Sequence, residues 1–179
     1  ACKTQVMSKI KTVGIVGTGV IGTGWIIRNL AHNKIVHAYD QNKNLKNYVL
    51  KEIKRTSKSI KKLFGKKILI KNLKFFNSLE KALSNVDFVQ ESVLENYKVK
   101  TDLIQKISKY VKSNVIISSS SSGLLPSKIF SKSKNPQRGI IGHPFNPAYL
   151  LPAVEIVPGK KTTRKFLSDA NKYYKSISM

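Results

Sequence analysis

The sequence is short of acid, of arginine and of cysteine. Asp and Glu total 9 against 33 Lys and Arg, giving a net charge of +24 over 179 residues. Such an excess ordinarily points to nucleic acid or an anionic surface. Only four of the cations are arginine, however: Arg28, Arg55, Arg138 and Arg164. No arginine-rich arm exists, and the lysines are scattered among abundant Ile, Asn and Ser, the pattern of a general compositional bias. The denser run from Lys51 to Lys74 suits an anionic small molecule or simply a solvated helix face. No nucleic-acid partner is expected. A single cysteine, Cys2, excludes an internal disulfide. No apolar run approaches the ~20 residues of a transmembrane helix, and ACKTQVMSKIK lacks the apolar centre of a signal peptide. A cytoplasmic chain with no membrane partner and no metal site is expected. Met7 begins a normal-looking start, MSKIKTVGIVG, so residues 1–6 are expected to be a non-native leader and 7–179 the domain. That length allows one domain with a proper core.

What the chain does have is TVGIVGTGVIG, Thr12 to Gly22. A strand-like apolar run is followed by Gly17, Gly19 and Gly22 in G-x-G-x-x-G spacing, and then by a helical apolar pattern from Val20. Gly17 permits a tight turn, Gly19 lets backbone approach phosphate oxygens, and Gly22 lets helix and strand pack closely. The helix start offers unpaired N–H groups and a partial positive charge to an anion. Asp40 ends the next apolar run 18 residues after Gly22, near the spacing of a ribose-binding carboxylate. These features predict a dinucleotide site; an ordinary Gly-rich turn is the plainer alternative.

Further along, strands are predicted at 35–39, 73–76, 86–90, 115–117, 139–142 and 154–157. Helices are predicted over 20–33, 45–63, 78–83 and 97–111, with a short one at Pro126 and a last one reaching 177. Ser78 suits an N-cap, as does Thr162 or Thr163. Trp25 belongs to an apolar helix face and reads as core. Alternating strands and helices predict a Rossmann-like, doubly wound α/β fold with a mostly parallel sheet. Functional groups gather beyond the carboxyl ends of such strands, where Asp40, Glu91, Ser122 and His143 all fall.

A second signal is GHPFNPAYLLPAVEIV, Gly142 to Val157. Two X-Pro steps, His143-Pro144 and Asn146-Pro147, predict a stiff non-helical loop that holds an imidazole in place. Glu155 follows His143 by 12 residues in an otherwise apolar strand. A carboxylate there is suited to holding one ring N–H and raising the basicity of the other nitrogen. A core histidine and a strand-edge glutamate remain the alternative. The five serines 118–122 read equally as a polar turn.

The pieces VGIVGTGVIGTGW, HAYD, VQESVLENYKVK, SSSSSGLLPSK and GHPFNPAYLLPAVEIVPG stand in the order found in the L-3-hydroxyacyl-CoA dehydrogenase family. The chain resembles that family's NAD-binding domain over most of 11–163, and it leans toward the carnitine and gulonate branch. The resemblance implies an NAD-dependent oxidation of a 3-hydroxyl to a 3-oxo group in a small 3-hydroxy acid or, alternatively, a CoA thioester. It implies His143 as the base, Glu155 as its orienting carboxylate and Ser122 as the hydroxyl that meets the substrate oxygen. Around the cofactor it implies Gly17, Gly19, Val20, Ile21, Gly22, Asp40, Glu95, Lys100, Ser122 and Asn146. Family members continue into a helical second domain that completes the pocket and forms a homodimer. This chain is therefore expected to be a truncated portion that binds NAD but turns over poorly. The rival reading is a non-catalytic NAD-binding fragment or structural protein of the same family.

Overall fold

A computed structural model describes residues 9–179. The expected leader, the start at Met7 and Cys2 lie outside the described residues. The chain runs β1 (Thr12–Val16), α1 (Val20–Ala31), β2 (Ile35–Tyr39), α2 (Leu45–Phe64), β3 (Leu73–Phe75), α3 (Leu79–Leu83), β4 (Phe88–Glu91), α4 (Tyr97–Tyr110), β5 (Ile116–Ser119), α5 (Pro126–Ile129), β6 (Gly139–Pro144), β7 (Val154–Pro158) and α6 (Arg164–Ser176). The strands form one seven-stranded sheet in the order β3-β2-β1-β4-β5-β6-β7. All pairs are parallel except β6 with β7. The order reverses between β1 and β4, which opens a crevice beyond their carboxyl ends.

Two apolar layers cover the sheet. Along β1, Val13 and Ile15 face a cluster with Trp25, Ile26 and Leu30 of α1, Val49, Ile53 and Ile60 of α2 and Tyr173 and Tyr174 of α6. Val16 faces the other side, with Leu83 of α3, Ile104 and Ile107 of α4 and Ile129 of α5. This alternation places helices on both faces, as the doubly wound pattern requires. Trp25 is fully buried. Among the described residues no helix is long and apolar enough to cross a membrane.

Several boundaries depart from the sequence-based expectation, and at three strands and the α6 cap the tertiary surroundings are visible. β4 starts at Phe88 because the Asp87 carboxylate accepts from the N–H groups of Lys11 and Thr12 and closes the sheet's lower edge. β5 extends through Ser118 and Ser119, whose hydroxyls find buried partners in Tyr174 and Glu91. β6 extends through Pro144, so His143 stands in a strand and not in the expected loop. Finally, Thr163 occupies the cap position of α6 without a side-chain hydrogen bond, while Thr162 Oγ1 bonds Gly139 O and accepts from Gly159 N. Ser78 does cap α3, accepting from Lys81 N.

Candidate active site

The Gly-rich turn is shaped by close packing on one side and open space on the other. Gly17 has φ +88°, and a Cβ there would lie 2.8 Å from the Ser92 carbonyl group. Its N–H donates to Tyr39 O at 2.9 Å, tying the turn to the end of β2. A Cβ on Gly22 would collide with the Gly17 carbonyl, so the close approach is to the turn itself before it is to β1. A Cβ on Gly19, by contrast, would meet nothing within 4 Å. Gly19 caps α1, no side chain caps it, and no acid sits in the first turn. The Val20 and Ile21 N–H groups have no acceptor among the described residues. A cavity of about 630 Å³ opens beside this turn, lined in part by Gly17, Gly19, Asp40, Leu79, Val93 and Leu103. Unpartnered N–H groups at a helix start, a turn with no Cβ at Gly17 or Gly19 and an adjoining apolar slot fit the pyrophosphate and adenosine of a dinucleotide.

Asp40 has a second task besides lining that cavity. Its Oδ2 accepts from Thr18 N at 2.6 Å, and its Oδ1 accepts from Asn42 N at 2.9 Å. The carboxylate thus fixes the Gly-rich turn and leaves lone pairs for a ribose hydroxyl.

The catalytic candidates stand on the same rim. Pairing places Val16, Tyr39, Glu91 and Ser119 level at the carboxyl ends of the parallel strands, with His143 two residues beyond Ile141, the partner of Ser119. β7 runs the other way, so it begins where the others end. His143 and Glu155 are directly opposite in the ladder, and His143 Nδ1 lies 2.9 Å from Glu155 Oε2. Only nine residues, 145–153, link β6 to β7, too few for a parallel crossover. His143 is half-buried, and its Nε2 has no partner among the described residues. The ladder, not the proline steps, holds the ring. Ser122 is exposed, its hydroxyl has no partner among the described residues, and Asn146 is exposed in the loop after β6.

Lys100 does not face the open site. Its side chain is 1% exposed, and its ammonium bonds Glu91 Oε1 at 2.8 Å and Val93 O at 3.0 Å. The resemblance implies a place around the cofactor for Lys100; its ammonium is held beneath the β4–α4 loop. Glu95 does reach the rim, where it accepts from Ser121, Ser122 and Gly123.

Residues that sequence reasoning missed hold the crevice floor and wall. Ser120 Oγ accepts from Trp25 Nε1 at 3.0 Å and Gln90 Nε2 at 2.8 Å, and it pairs with Ser92 Oγ at 2.8 Å. Tyr174 OH reaches Gln90 Oε1 at 2.7 Å, which connects α6 to that floor. Arg28 is fully buried and donates to Ala148 O at 3.0 Å and Leu151 O at 2.7 Å, so α1 grips the loop after His143. Gly24 lets that loop approach, since a Cβ there would stand 3.0 Å from the Ala148 methyl. The one signal in the sequence was an arginine within an apolar helix face.

A family model described as the NAD binding domain of 3-hydroxyacyl-CoA dehydrogenase matches residues 12–179. An L-carnitine dehydrogenase of Oceanobacillus iheyensis is 40% identical over 171 residues, covering 95% of this chain and 56% of that protein. One from Pseudomonas putida is 40% identical over 174 residues, covering 97% and 54%. The chain spans about half the length of these curated relatives. Among solved structures, an (S)-3-hydroxybutyryl-CoA dehydrogenase from Ralstonia eutropha is similar with a TM-score of 0.83 at 26% identity, over 95% of this chain and 62% of that one. A 3-hydroxybutyryl-CoA dehydrogenase from Escherichia coli has a TM-score of 0.87 at 24% identity, over 94% and 37%, a likeness of fold.

Proposed function

The chain belongs to the 3-hydroxyacyl-CoA dehydrogenase family as an NAD-binding domain, and from that premise we propose that it serves the NAD-dependent oxidation of a small 3-hydroxy acid of the L-carnitine kind to its 3-oxo product. The His143–Glu155 pair carries this reading, with one nitrogen held and the other free at the rim that the Gly-rich turn shares. The names of the relatives support a carnitine-like acid over a CoA thioester.

In this reading the α1 N-terminus and the bare Gly19 backbone hold the pyrophosphate. Asp40 accepts from the adenosine ribose and repels a 2′-phosphate. Glu155 accepts from Nδ1–H and fixes the tautomer, leaving His143 Nε2 as the acceptor. Nε2 takes the proton of the 3-hydroxyl, and Ser122 Oγ hydrogen-bonds the same oxygen. Asn146, in the loop after β6, would help hold the nicotinamide end. Bound NAD supplies the hydride acceptor; the protein supplies position and electrostatics.

Calorimetry of the chain with NAD and NADP tests the first half, and tighter NAD binding is expected. Turnover of L-carnitine and of a 3-hydroxyacyl-CoA is then measured in a chimera where this chain replaces the matching part of the Oceanobacillus iheyensis relative. Activity on L-carnitine, lost in His143→Gln and reduced less in Glu155→Gln, is the expected result. Cofactor binding with no turnover on either substrate would favour the non-catalytic reading.

A further inference from the structure

The β6–β7 loop, residues 145–153, follows His143 and precedes Glu155, and most of it has little to rest on. Phe145, Asn146, Leu150 and Leu151 are exposed, while Ala148 is fully buried. Within the loop, Leu150 N and Leu151 N both donate to Pro147 O, at 2.9 and 3.0 Å, and Phe145 N donates to Ala153 O at 3.1 Å. That last bond prolongs the ladder in which Pro144 faces Val154 and His143 faces Glu155. β7 is the outermost strand among the described residues, and Glu155 is itself exposed on it. A strand pair at a sheet edge frays from its ends, so the level position of the Glu155 carboxylate depends on what closes the loop end.

What closes it lies in α1. Arg28 is fully buried. Its Nε donates to Ala148 O at 3.0 Å, its Nη2 to Leu151 O at 2.7 Å and its Nη1 to Ser178 O at 3.4 Å. Neither loop carbonyl has another donor among the described residues, and no carboxylate there answers the arginine's charge. Burying a cation among carbonyls alone is costly. What it secures is geometry, because one planar group fixes two carbonyls of the loop, a task for which the point-like ammonium of lysine is poorly shaped. Gly24, one turn earlier on the same face of α1, brings the helix against Ala148. The helix rise sets Arg28 about 12 Å along the axis from Val20, whose N–H faces the phosphate-binding turn. One rigid element therefore carries the anion-binding end and the hold on the loop.

We propose that Arg28 is a positioning residue for proton transfer: by pinning the 145–153 loop from beneath, it keeps Glu155 at hydrogen-bond distance from His143 Nδ1 and so leaves Nε2 as the acceptor. The proposal rests on the reading of His143 as the base and Glu155 as its partner. It asks more of Arg28 than stability, because the ring it governs stands at the rim, on the far side of the loop from α1, and the effect passes through the ladder.

The ring tautomer of His143 tests this on the cofactor-free chain, without turnover. At about pH 9, above the ordinary histidine pKa, the imidazole nitrogen shifts in the NMR spectrum separate Nδ1–H rings from Nε2–H rings, and His143→Gln identifies the signals. The wild type should hold the Nδ1–H form in excess. Arg28→Met should move the ratio of the two forms at least about threefold toward Nε2–H, within the strength of one charge-assisted hydrogen bond. The Leu150 and Leu151 amides should then exchange about tenfold faster. Ile107→Ala opens a cavity in the opposite apolar layer and loosens the fold without touching the loop, so the ratio should stay as in the wild type. Should Arg28→Met fail to fold, Gly24→Ala keeps the test open. It raises helix propensity and presses on Ala148, so the ratio should move the same way with the urea midpoint kept. In the chimera, Arg28→Met should lower kcat at least about tenfold, with NAD affinity by calorimetry kept within about twofold because the phosphate-binding turn is untouched. A wild type dominated by the Nε2–H form overturns the proposal. So does an unchanged ratio in folded Arg28→Met or, where that variant does not fold, in Gly24→Ala. A like shift in Ile107→Ala, or a loss of NAD affinity as large as the loss of kcat, overturns it too. Failure of the proposed function looks different: the tautomer follows Arg28, but NAD does not bind or the chimera turns over neither substrate.

Discussion

His143 and His32 show two uses of one ring. At the rim, His143 gives Nδ1 to Glu155 and keeps Nε2 open. Where α1 meets the C-terminal turn, His32 is buried and engaged on both nitrogens. Its Nδ1 lies 2.8 Å from Arg28 O, which can only accept, so Nδ1 carries the proton and Nε2 accepts from Ser178 Oγ at 2.9 Å. Burial pushes the His32 pKa down to about 4, aided by the charges of Lys66, Arg28 and Lys34 and opposed by the bond to the Arg28 carbonyl. Neighbouring Arg28 sits over the Phe64 ring at 4.9 Å, and burial lowers its pKa to about 10. The rim presents groups with capacity to spare; the seam has used its capacity up. Chemistry needs the first arrangement, and holding a loop against a helix needs the second.

Four experiments sharpen or break that contrast. The largest effect is expected from His143→Gln, which should lower turnover of the chimera by roughly 10²–10⁴ while calorimetry finds NAD affinity nearly intact. A loss of affinity as large as the loss of rate would make the rim histidine a binding group and dissolve the distinction. Next is Arg28→Met, which leaves the Ala148 and Leu151 carbonyls without their buried donor. Urea unfolding, followed by the fluorescence of Trp25, should show a loss of about 4 kcal/mol. An unchanged midpoint would mean that the seam holds nothing.

The third experiment is a pH series of unfolding free energies. His32 has a folded pKa of about 4 against an ordinary 6.5, so the unfolded chain binds the extra proton between those values. Its contribution is complete above about pH 6.5 and declines as pH falls toward about 4, by roughly 3 kcal/mol in all. His32→Gln should flatten that part of the profile, and identical slopes for the two proteins would refute the sealed-ring reading. The smallest effect is expected from Asp40→Ala. Loss of the ribose acceptor and of the bond to Thr18 N should weaken NAD binding by about tenfold and narrow the gap to NADP. Equal NAD affinity with and without the Asp40 carboxylate would remove it from the site.

Much of the fold was legible because its signals are local. Gly17 at positive φ, the apolar run before it and the helix after it lie within a few residues of one another. The Ser78 cap and the alternation of strands and helices are likewise short-range features. The site was legible in part. The motifs singled out His143, Glu155 and Ser122 as candidates, but His143 stands in the β6–β7 ladder, and only Asn146-Pro147 lies in the loop that follows. The polar network around Ser120 left no trace, because Trp25, Gln90, Ser92 and Tyr174 are distant in sequence and individually ordinary. The burial of Lys100 was not legible for a related reason: a lysine in a surface-type helix gives no sign that a buried Glu91 awaits it.

The sequence by itself determined the turn that suits a pyrophosphate, because the positive φ and the close Ser92 carbonyl at position 17 favour glycine, and only glycine clears the Gly17 carbonyl at position 22. It also determined which residue types are available for proton transfer. Tertiary structure alone decided what they do. The direction of β7 places Glu155 opposite His143, and β7 runs antiparallel because its link to β6 is too short to cross over. Burial converts Lys100 and Arg28 from surface cations into internal ties. Strand direction and burial are properties of contacts between distant segments, and no local pattern of residues encodes them.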